Sequence, residues 1–295
     1  MIYAVTFNPS VDMVFALPTP LHPGDTYNHI PWTAYAGGKG NNVARAINQL
    51  GGPVTAVGFY GGAMGLLMRQ LLAEQHIPCL KESVRGSSRV SLTLLPEKIT
   101  EVRGQGPEVS HRKSRTLLER LRRRLTSRDW ITLSGSLPPG LSADDITEWV
   151  HTLRPHCQGI IADLAGDNLL AACKAEVTAV CPNAAEYQPL AHELGTHNRM
   201  HLVITEGPLG VLWYPPDPFP TERIYAPAVT VKNPVGAGDV FLGSLVYGLW
   251  QGQDWRSALI RAVAAASASV ATEGVSEIDL ALFQEILPHV YMEPA

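Results

Sequence analysis

Asp239 stands just inside Asn233-Pro234-Val235-Gly236-Ala237-Gly238-Asp239, and an apolar run follows it at once, Val240-Phe241-Leu242-Gly243-Ser244-Leu245-Val246. The stretch reads as a helix start. Small residues there let a ligand approach the backbone closely. First-turn N–H groups and the positive end of the dipole favour an anion such as a phosphate. A carboxylate in that turn can take a proton from a hydroxyl while the N–H groups hold the charge that builds on a transferring group. Taken alone, the four residues also fit an ordinary helix start, with Asp239 complementing the dipole.

Further polar clusters are Asp12, Gly37-Gly38-Lys39-Gly40-Asn41-Asn42, Arg89, Ser134-Gly135-Ser136-Leu137-Pro138-Pro139-Gly140, Asn183-x-x-Glu186 and Thr205-Glu206-Gly207-Pro208-Leu209-Gly210. Almost all follow a predicted strand. In open α/β sheets ligands bind beyond the carboxyl ends of strands, so the set predicts one long cleft. Asn183 and Glu186 alone would equally serve as a helix N-cap and capping box. Common nucleotide motifs fail. Gly38-Lys39 is followed by Gly40, with Thr33 where a P-loop needs glycine; Phe241 and Val109 break the two Gly-x-Gly-x-x-Gly matches. Ser134-Gly135-Ser136-Leu137 is no nucleophile elbow.

The elements that must carry these residues alternate. Strands are predicted at 2–7, 54–60, 129–135, 159–164, 177–181 and 201–205. Helices are predicted at 41–50, 66–74, 111–126, 142–154, 167–174 and 184–193. Strands at 210–215 and 222–231 and helices near 237–251, 255–271 and 279–290 complete the chain. Such alternation means right-handed crossovers and a largely parallel sheet. Residues 9–35 and 86–104, with strands at 88–95 and 99–102 around a turn at Pro96-Glu97-Lys98, are too extended for this rhythm. They predict a small accessory sheet within one 295-residue domain, with Trp32 and Tyr35 as large candidates on its apolar face.

Composition narrows the function. A net charge of −4 argues against nucleic acid as a partner. The arginines of 111–126 read as the solvated face of a helix whose Leu117, Leu118, Leu121 and Leu125 are buried. No apolar run approaches the ~18 residues that span a bilayer, and the N-terminus lacks a basic leader. Four scattered cysteines suit a reducing, cytoplasmic setting. His197 and His201, four apart without a glutamate pattern, read as surface residues.

With these residues in view, the chain resembles the PfkB (ribokinase-like) carbohydrate kinase family over essentially its whole length. Gly-Gly-Lys-Gly-x-Asn near the start and Gly-Ala-Gly-Asp near the end are that family's two signatures. Thr6-Phe7-Asn8-Pro9-Ser10-Val11-Asp12 and Ile99-Thr100-Glu101-Val102 with Gly106-Pro107 further resemble its hexose-phosphate branch. The resemblance implies a three-layer αβα fold with a β-sheet lid from about 9–35 and 86–104, ATP and Mg²⁺ as cofactors, and a homodimer through the lid. It implies Asp239 as the base and Gly236, Ala237 and Gly238 as N–H donors to the phosphoryl group. Asp12, Gly37, Gly38, Lys39, Asn42 and Ser136 would hold the sugar, with Arg89 on its phosphate. Asn183 and Glu186 would organise ATP and magnesium, Glu186 through water, and Thr205, Gly207 and Gly210 would line the nucleotide side. The chain departs from the family at Cys181-Pro182-Asn183, where lysine is usual before Pro-Asn, at Ala162–Gly166, and after Arg89. The implied acceptor is a phosphorylated ketohexose: fructose 1-phosphate or tagatose 6-phosphate, then fructose 6-phosphate. The alternatives are an unphosphorylated sugar or nucleoside, or a non-catalytic sugar-phosphate sensor.

Overall fold

The computed structural model describes residues 1–95, 100–194 and 199–295. The turn expected at 96–98, Ile99 and His197 lie outside them. The first half of the chain runs β1 (Ile2–Thr6), β2 (Ser10–Ala16), β3 (Trp32–Gly37), α1 (Lys39–Gln49), β4 (Val54–Gly61), α2 (Gly62–Glu74), β5 (Cys79–Val84), β6 (Arg89–Leu95) and β7 (Thr100–Arg103). There follow α3 (His111–Arg122), β8 (Trp130–Ser134), α4 (Ala143–Leu153), β9 (Gly159–Asp163), α5 (Gly166–Lys174), β10 (Ala179–Val180), α6 (Ala184–Tyr187), α7 (Ala191–Leu194) and β11 (His201–Thr205). The chain ends with β12 (Val211–Tyr214), β13 (Glu222–Tyr225), α8 (Ala237–Trp250), α9 (Trp255–Ser269), α10 (Leu280–Ile286) and β14 (Tyr291–Pro294).

The large sheet has the order β14-β13-β12-β11-β10-β9-β8-β1-β4-β5. It is parallel from β5 through β11 and antiparallel beyond. Side chains of a strand alternate between faces, and β1 shows it. Ile2 and Ala4 join a core with Val43 and Ile47 of α1 and Leu245 of α8. Tyr3 and Val5 join another with Leu117 of α3 and Trp149 of α4. Helices therefore cover both faces, giving three layers. From β1 the chain builds outward in one direction through β4 and β5, and later in the other through β8 and β9. Right-handed crossovers then put α1 and α2 on one face and α3, α4 and α5 on the other. The order reverses beside β1, where such sheets open a crevice.

Two strands differ from expectation by being present. In β5 only alternate residues are buried, and one of them is Glu82, held by Lys113 and Arg120 of α3. A buried glutamate breaks the apolar pattern by which a strand is read. The terminal β14 is mostly exposed and exists by pairing with β13. The helix expected over 184–193 is broken by a 3₁₀ turn at Gln188–Leu190, where Pro189 interrupts it. The strand expected over 222–231 ends at Tyr225, and the helix near 279–290 ends at Ile286.

The second sheet has the order β3-β2-β6-β7. Its register sets Asp12 opposite Ser91 and Ser91 opposite Arg103, with Arg89 opposite Ser10. The other face carries Met13, Phe15, Trp32, Leu92 and Val102. Tyr35 does not belong to that apolar face. Three residues from Trp32, it points the opposite way, and its ring lies under the Arg45 guanidinium. On α3 the buried side is Ser114, Leu117, Leu118 and Leu121, and Lys113, Arg115, Arg120 and Arg122 pair with carboxylates. His201 is not a surface residue: it stacks on Trp255 with ring centroids 3.6 Å apart, accepts from Trp213 Nε1 at 3.1 Å, and burial pulls its pKa down to about 4.

Candidate active site

A cleft of about 760 Å³ lies beyond the carboxyl ends of β1, β8 and β9, between the large sheet and the polar face of the small one. Asp239 lies at its base, in the first turn of α8. The turn is entered through Gly236, whose φ of 84° is a left-handed conformation that glycine takes without strain. A Cβ there would also sit 2.1 Å from Ser276 Oγ. Asn233 anchors the approach by donating to the Glu273 carbonyl at 2.9 Å and accepting from Val235 N–H at 3.0 Å.

Burial, then the nearby Asp163 carboxylate, pushes the Asp239 pKa up to about 7, against the opposing pull of Lys39 and of the Asn42 amide, which donates to its Oδ2 at 2.7 Å. A base with a pKa near neutrality is matched to taking a proton from a hydroxyl. Lys39 opens α1. Its Nζ contacts Asp163 Oδ1 at 2.8 Å and Glu186 Oε1 at 3.6 Å. Burial disfavours its charge, but Asp163, Asp239 and Glu186 together hold its pKa above the ordinary lysine value. One ammonium thus lies between the two walls of the cleft, ion-paired to Asp163 and Glu186.

On the small sheet Asp12 accepts from Ser10 Oγ at 2.5 Å and from Gly38 N–H at 3.4 Å, and burial raises its pKa. Arg89 donates through Nε to the Asn8 carbonyl at 3.1 Å. That bond leaves the rest of the guanidinium fork for a ligand. Burial lowers its pKa, partly offset by Asp12. Ser136 lines the cleft and accepts from Asn8 Nδ2 at 3.4 Å. Across the cleft, Asn183 and Glu186 do form the capping box of α6: Glu186 N–H donates to Asn183 Oδ1 at 2.9 Å and Asn183 N–H to Glu186 Oε2 at 3.0 Å. Glu186 Oε1 is left to Lys39, so the cap and the cleft use different oxygens of one carboxylate. Thr205 and Gly207 line the same side, and so does the buried Cys181.

Asp12, Gly38, Lys39, Asn42, Arg89, Ser136, Asn183, Glu186, Thr205, Gly207, Gly236, Gly238 and Asp239 all line the cleft; Gly37, Ala237 and Gly210 do not. A Cβ at Gly37 would fall 2.0 Å from the Asp12 carboxyl carbon, and one at Gly210 2.0 Å from the Ile224 carbonyl oxygen, so these glycines make room for close packing. Ala237 N–H is already given to the Pro234 carbonyl at 3.2 Å. Gly238 faces open space.

Sequence reasoning passed over Asp163, Ser91, Glu101 and Arg103, which also line the cleft. Asp163 ends β9 beside Ser134, its register partner. Glu101 and Arg103 sit two apart on a strand and therefore share its cleft-facing side, where they form an ion pair. Strand parity was the signal available for both.

The model of the pfkB family of carbohydrate kinases matches residues 7–280. The chain is 30% identical to 1-phosphofructokinase of Escherichia coli strain K12, across 98% of this chain and 97% of that protein. It superposes on the crystal structure of phosphofructokinase-2 from Escherichia coli in complex with fructose-6-phosphate with a TM-score of 0.84, at 25% identity and 98% of both chains. A ribokinase from Thermotoga maritima shares the fold alone, at 19% identity, a TM-score of 0.74 and 97% and 99% of the two chains.

Proposed function

Because this chain belongs to the pfkB family of carbohydrate kinases it is an ATP-using sugar kinase, and we propose that its acceptor is a phosphorylated ketohexose, fructose 1-phosphate or tagatose 6-phosphate ahead of fructose 6-phosphate. The observation that carries this reading is the register of the small sheet. It sets Arg89 and Arg103 on neighbouring strands, with Ser91 between them, on the face that carries Asp12. Diagonal neighbours on adjacent strands are within reach of long side chains, so both guanidiniums can grip one phosphate. The phosphate end is then fixed on the sheet while Asp12 and Asn42 hold hydroxyls, and the acceptor hydroxyl comes to Asp239. Asp239 takes its proton as the γ-phosphoryl arrives. Lys39 and the Gly238 N–H in the first turn of α8 hold the charge in transit.

The nucleotide lies along Asn183, Glu186, Thr205 and Gly207. Magnesium would be met by Glu186 through water, with ATP oxygens completing its shell, and would neutralise phosphate charge. Hard oxygen donors suit it. Among the described residues no group of three or more His, Cys, Asp or Glu side chains is gathered to hold a metal, which fits an ion that arrives with the nucleotide. The small sheet acts as a lid that keeps water from competing for the phosphoryl group. On its outer face Phe15 stacks on Trp32, and Trp32 and Val102 are 57% and 54% exposed. A second copy covering this face gives a two-fold dimer. The free cysteines and the use of ATP fit the cytoplasm.

A panel of phosphorylated and free sugars with magnesium-ATP, read by ADP release, tests the reading. Turnover is expected on a phosphoketohexose and only weakly on free fructose or ribose. Equal efficiency on a free sugar would overturn the acceptor while leaving the kinase. Sedimentation showing a strict monomer at micromolar concentration would overturn the dimer.

A further inference from the structure

Arg45 lies in α1 one turn beyond Asn42, with only 4% of its surface exposed. Its Nη1 donates to Asn42 Oδ1 at 3.2 Å and to the Val275 carbonyl at 3.0 Å, and its Nη2 to the Ala36 carbonyl at 2.8 Å. The guanidinium lies over the Tyr35 ring, 4.9 Å from its centroid. The two carbonyls alone would describe a structural arginine. The bond to Asn42 is of another kind, because an amide has two unlike ends. Arginine only donates hydrogen bonds, so the end of Asn42 that faces it must be the oxygen. The NH₂ end is thereby turned to Asp239 Oδ2, 2.7 Å away.

We propose that Arg45 is a positioning residue for phosphoryl transfer, locking the Asn42 amide so that Asp239 always meets an N–H donor. The proposal rests on the reading of Asp239 as the base. With the lock removed, Asn42 can turn its oxygen to Asp239. Two acceptors then face each other, and the arrangement favours the protonated carboxyl. The groups that act on Asp239 are Asn42 and Lys39 from α1, Asp163 from β9 and Asp12 from β2, with Arg45 itself a further cation. Asn42 is the one among them that touches it by a hydrogen bond. Ala36 and Tyr35 belong to β3, so the same guanidinium fastens the small sheet and orients the amide at the base.

Arg45→Lys keeps the charge but loses the planar fork. In this variant kcat/KM for the sugar falls about tenfold at pH 6 and about threefold at pH 8.5, the acid limb moving up by roughly half a pH unit, while KM for ATP stays. Asn42→Ala moves the limb the same way, and the double variant moves it no further. A loss of equal size at every pH, or additive effects in the double variant, would make Arg45 a packing residue and overturn the proposal. Should Arg45→Lys not fold, the wild-type protein decides. The Asn42 side-chain NH₂ resonances, assigned by their loss in Asn42→Asp, exchange slowly with solvent if the amide is locked; fast exchange refutes the lock. Asp239→Asn separates the two readings. Normal turnover there removes the base itself, whereas a dead Asp239→Asn with an unmoved pH profile in Arg45→Lys removes only the role of Arg45.

Discussion

The two walls of the cleft are built differently. The wall on the small sheet presents side chains with charge: Asp12, Arg89, Glu101 and Arg103, spaced by strand register. The wall across from it, at Cys181, Asn183, Thr205 and Gly207, presents mostly backbone and small side chains, with charge at Glu186 and, near Ala165, at Asp163. A ligand on the first wall is chosen by the position of a few ions. A ligand on the second is held by shape and peptide groups, which many sequences can supply. Lys39 and Asp239 stand between, so each wall can be altered without the other and without Asp239.

The largest effect is expected between the walls. Asp239→Asn keeps shape and removes the proton acceptor, so kcat should fall by roughly 10²–10⁴ with both KM values little changed. A parallel rise in either KM would show that Asp239 belongs to that wall. On the small-sheet wall, where the proposed sugar phosphate sits, Arg89→Ala should raise KM for the phosphosugar about ten- to a hundredfold, since a charge-assisted contact is worth ~1.5–3 kcal/mol, and should leave KM for ATP alone. Initial-rate kinetics with each substrate varied in turn checks both.

The pH profile comes next. The folded Asp239 carboxyl has a pKa of about 7, above the ordinary range. The proposed base is therefore neutral below that pH, and kcat/KM should drop about tenfold for each further unit of acidity. A profile flat down to pH 5 would contradict it. On the opposite wall, where the proposed nucleotide lies, Glu186→Gln keeps much of the cap and removes the charge; KM for magnesium-ATP should rise roughly threefold to tenfold, with KM for the sugar unchanged. The smallest change is expected at Arg103, whose side chain is 66% exposed and already paired with Glu101. Arg103→Ala should raise the sugar KM by roughly threefold, because solvent screens the contact. An effect as large as that of Arg89→Ala would mean that the lid closes over Arg103 more fully than over its neighbour.

Much was legible in the chain of residues itself. Strand and helix periods are local, so the alternation from Ile2 to Thr205 and the parallel sheet followed from them. The glycine-bounded helix starts at Gly38 and Gly236 were legible too, because a helix terminus carries its own donors whatever surrounds it. The second start offered Asp239 as a base, while the roles of Lys39 and Asn42 beside the first came with the family resemblance. Tertiary structure decided the rest. Strand β5 hides a glutamate that only partners on α3 make tolerable, and β14 exists only by pairing with β13. Ala237 spends its N–H inside its own turn, and Gly37 and Gly210 serve packing instead of the ligand. Strand parity turns Tyr35 away from Trp32, and only the fold brings the Arg45 guanidinium over its ring. Arg45 itself reads in sequence as one more polar residue on a helix. Its three acceptors lie in α1, in β3 and at Val275, and no local pattern can bring parts so distant in the chain to one guanidinium. Residue order determines which elements form and what chemistry their ends can offer. Which groups meet, and which of their atoms remain for a substrate, is decided by long-range packing.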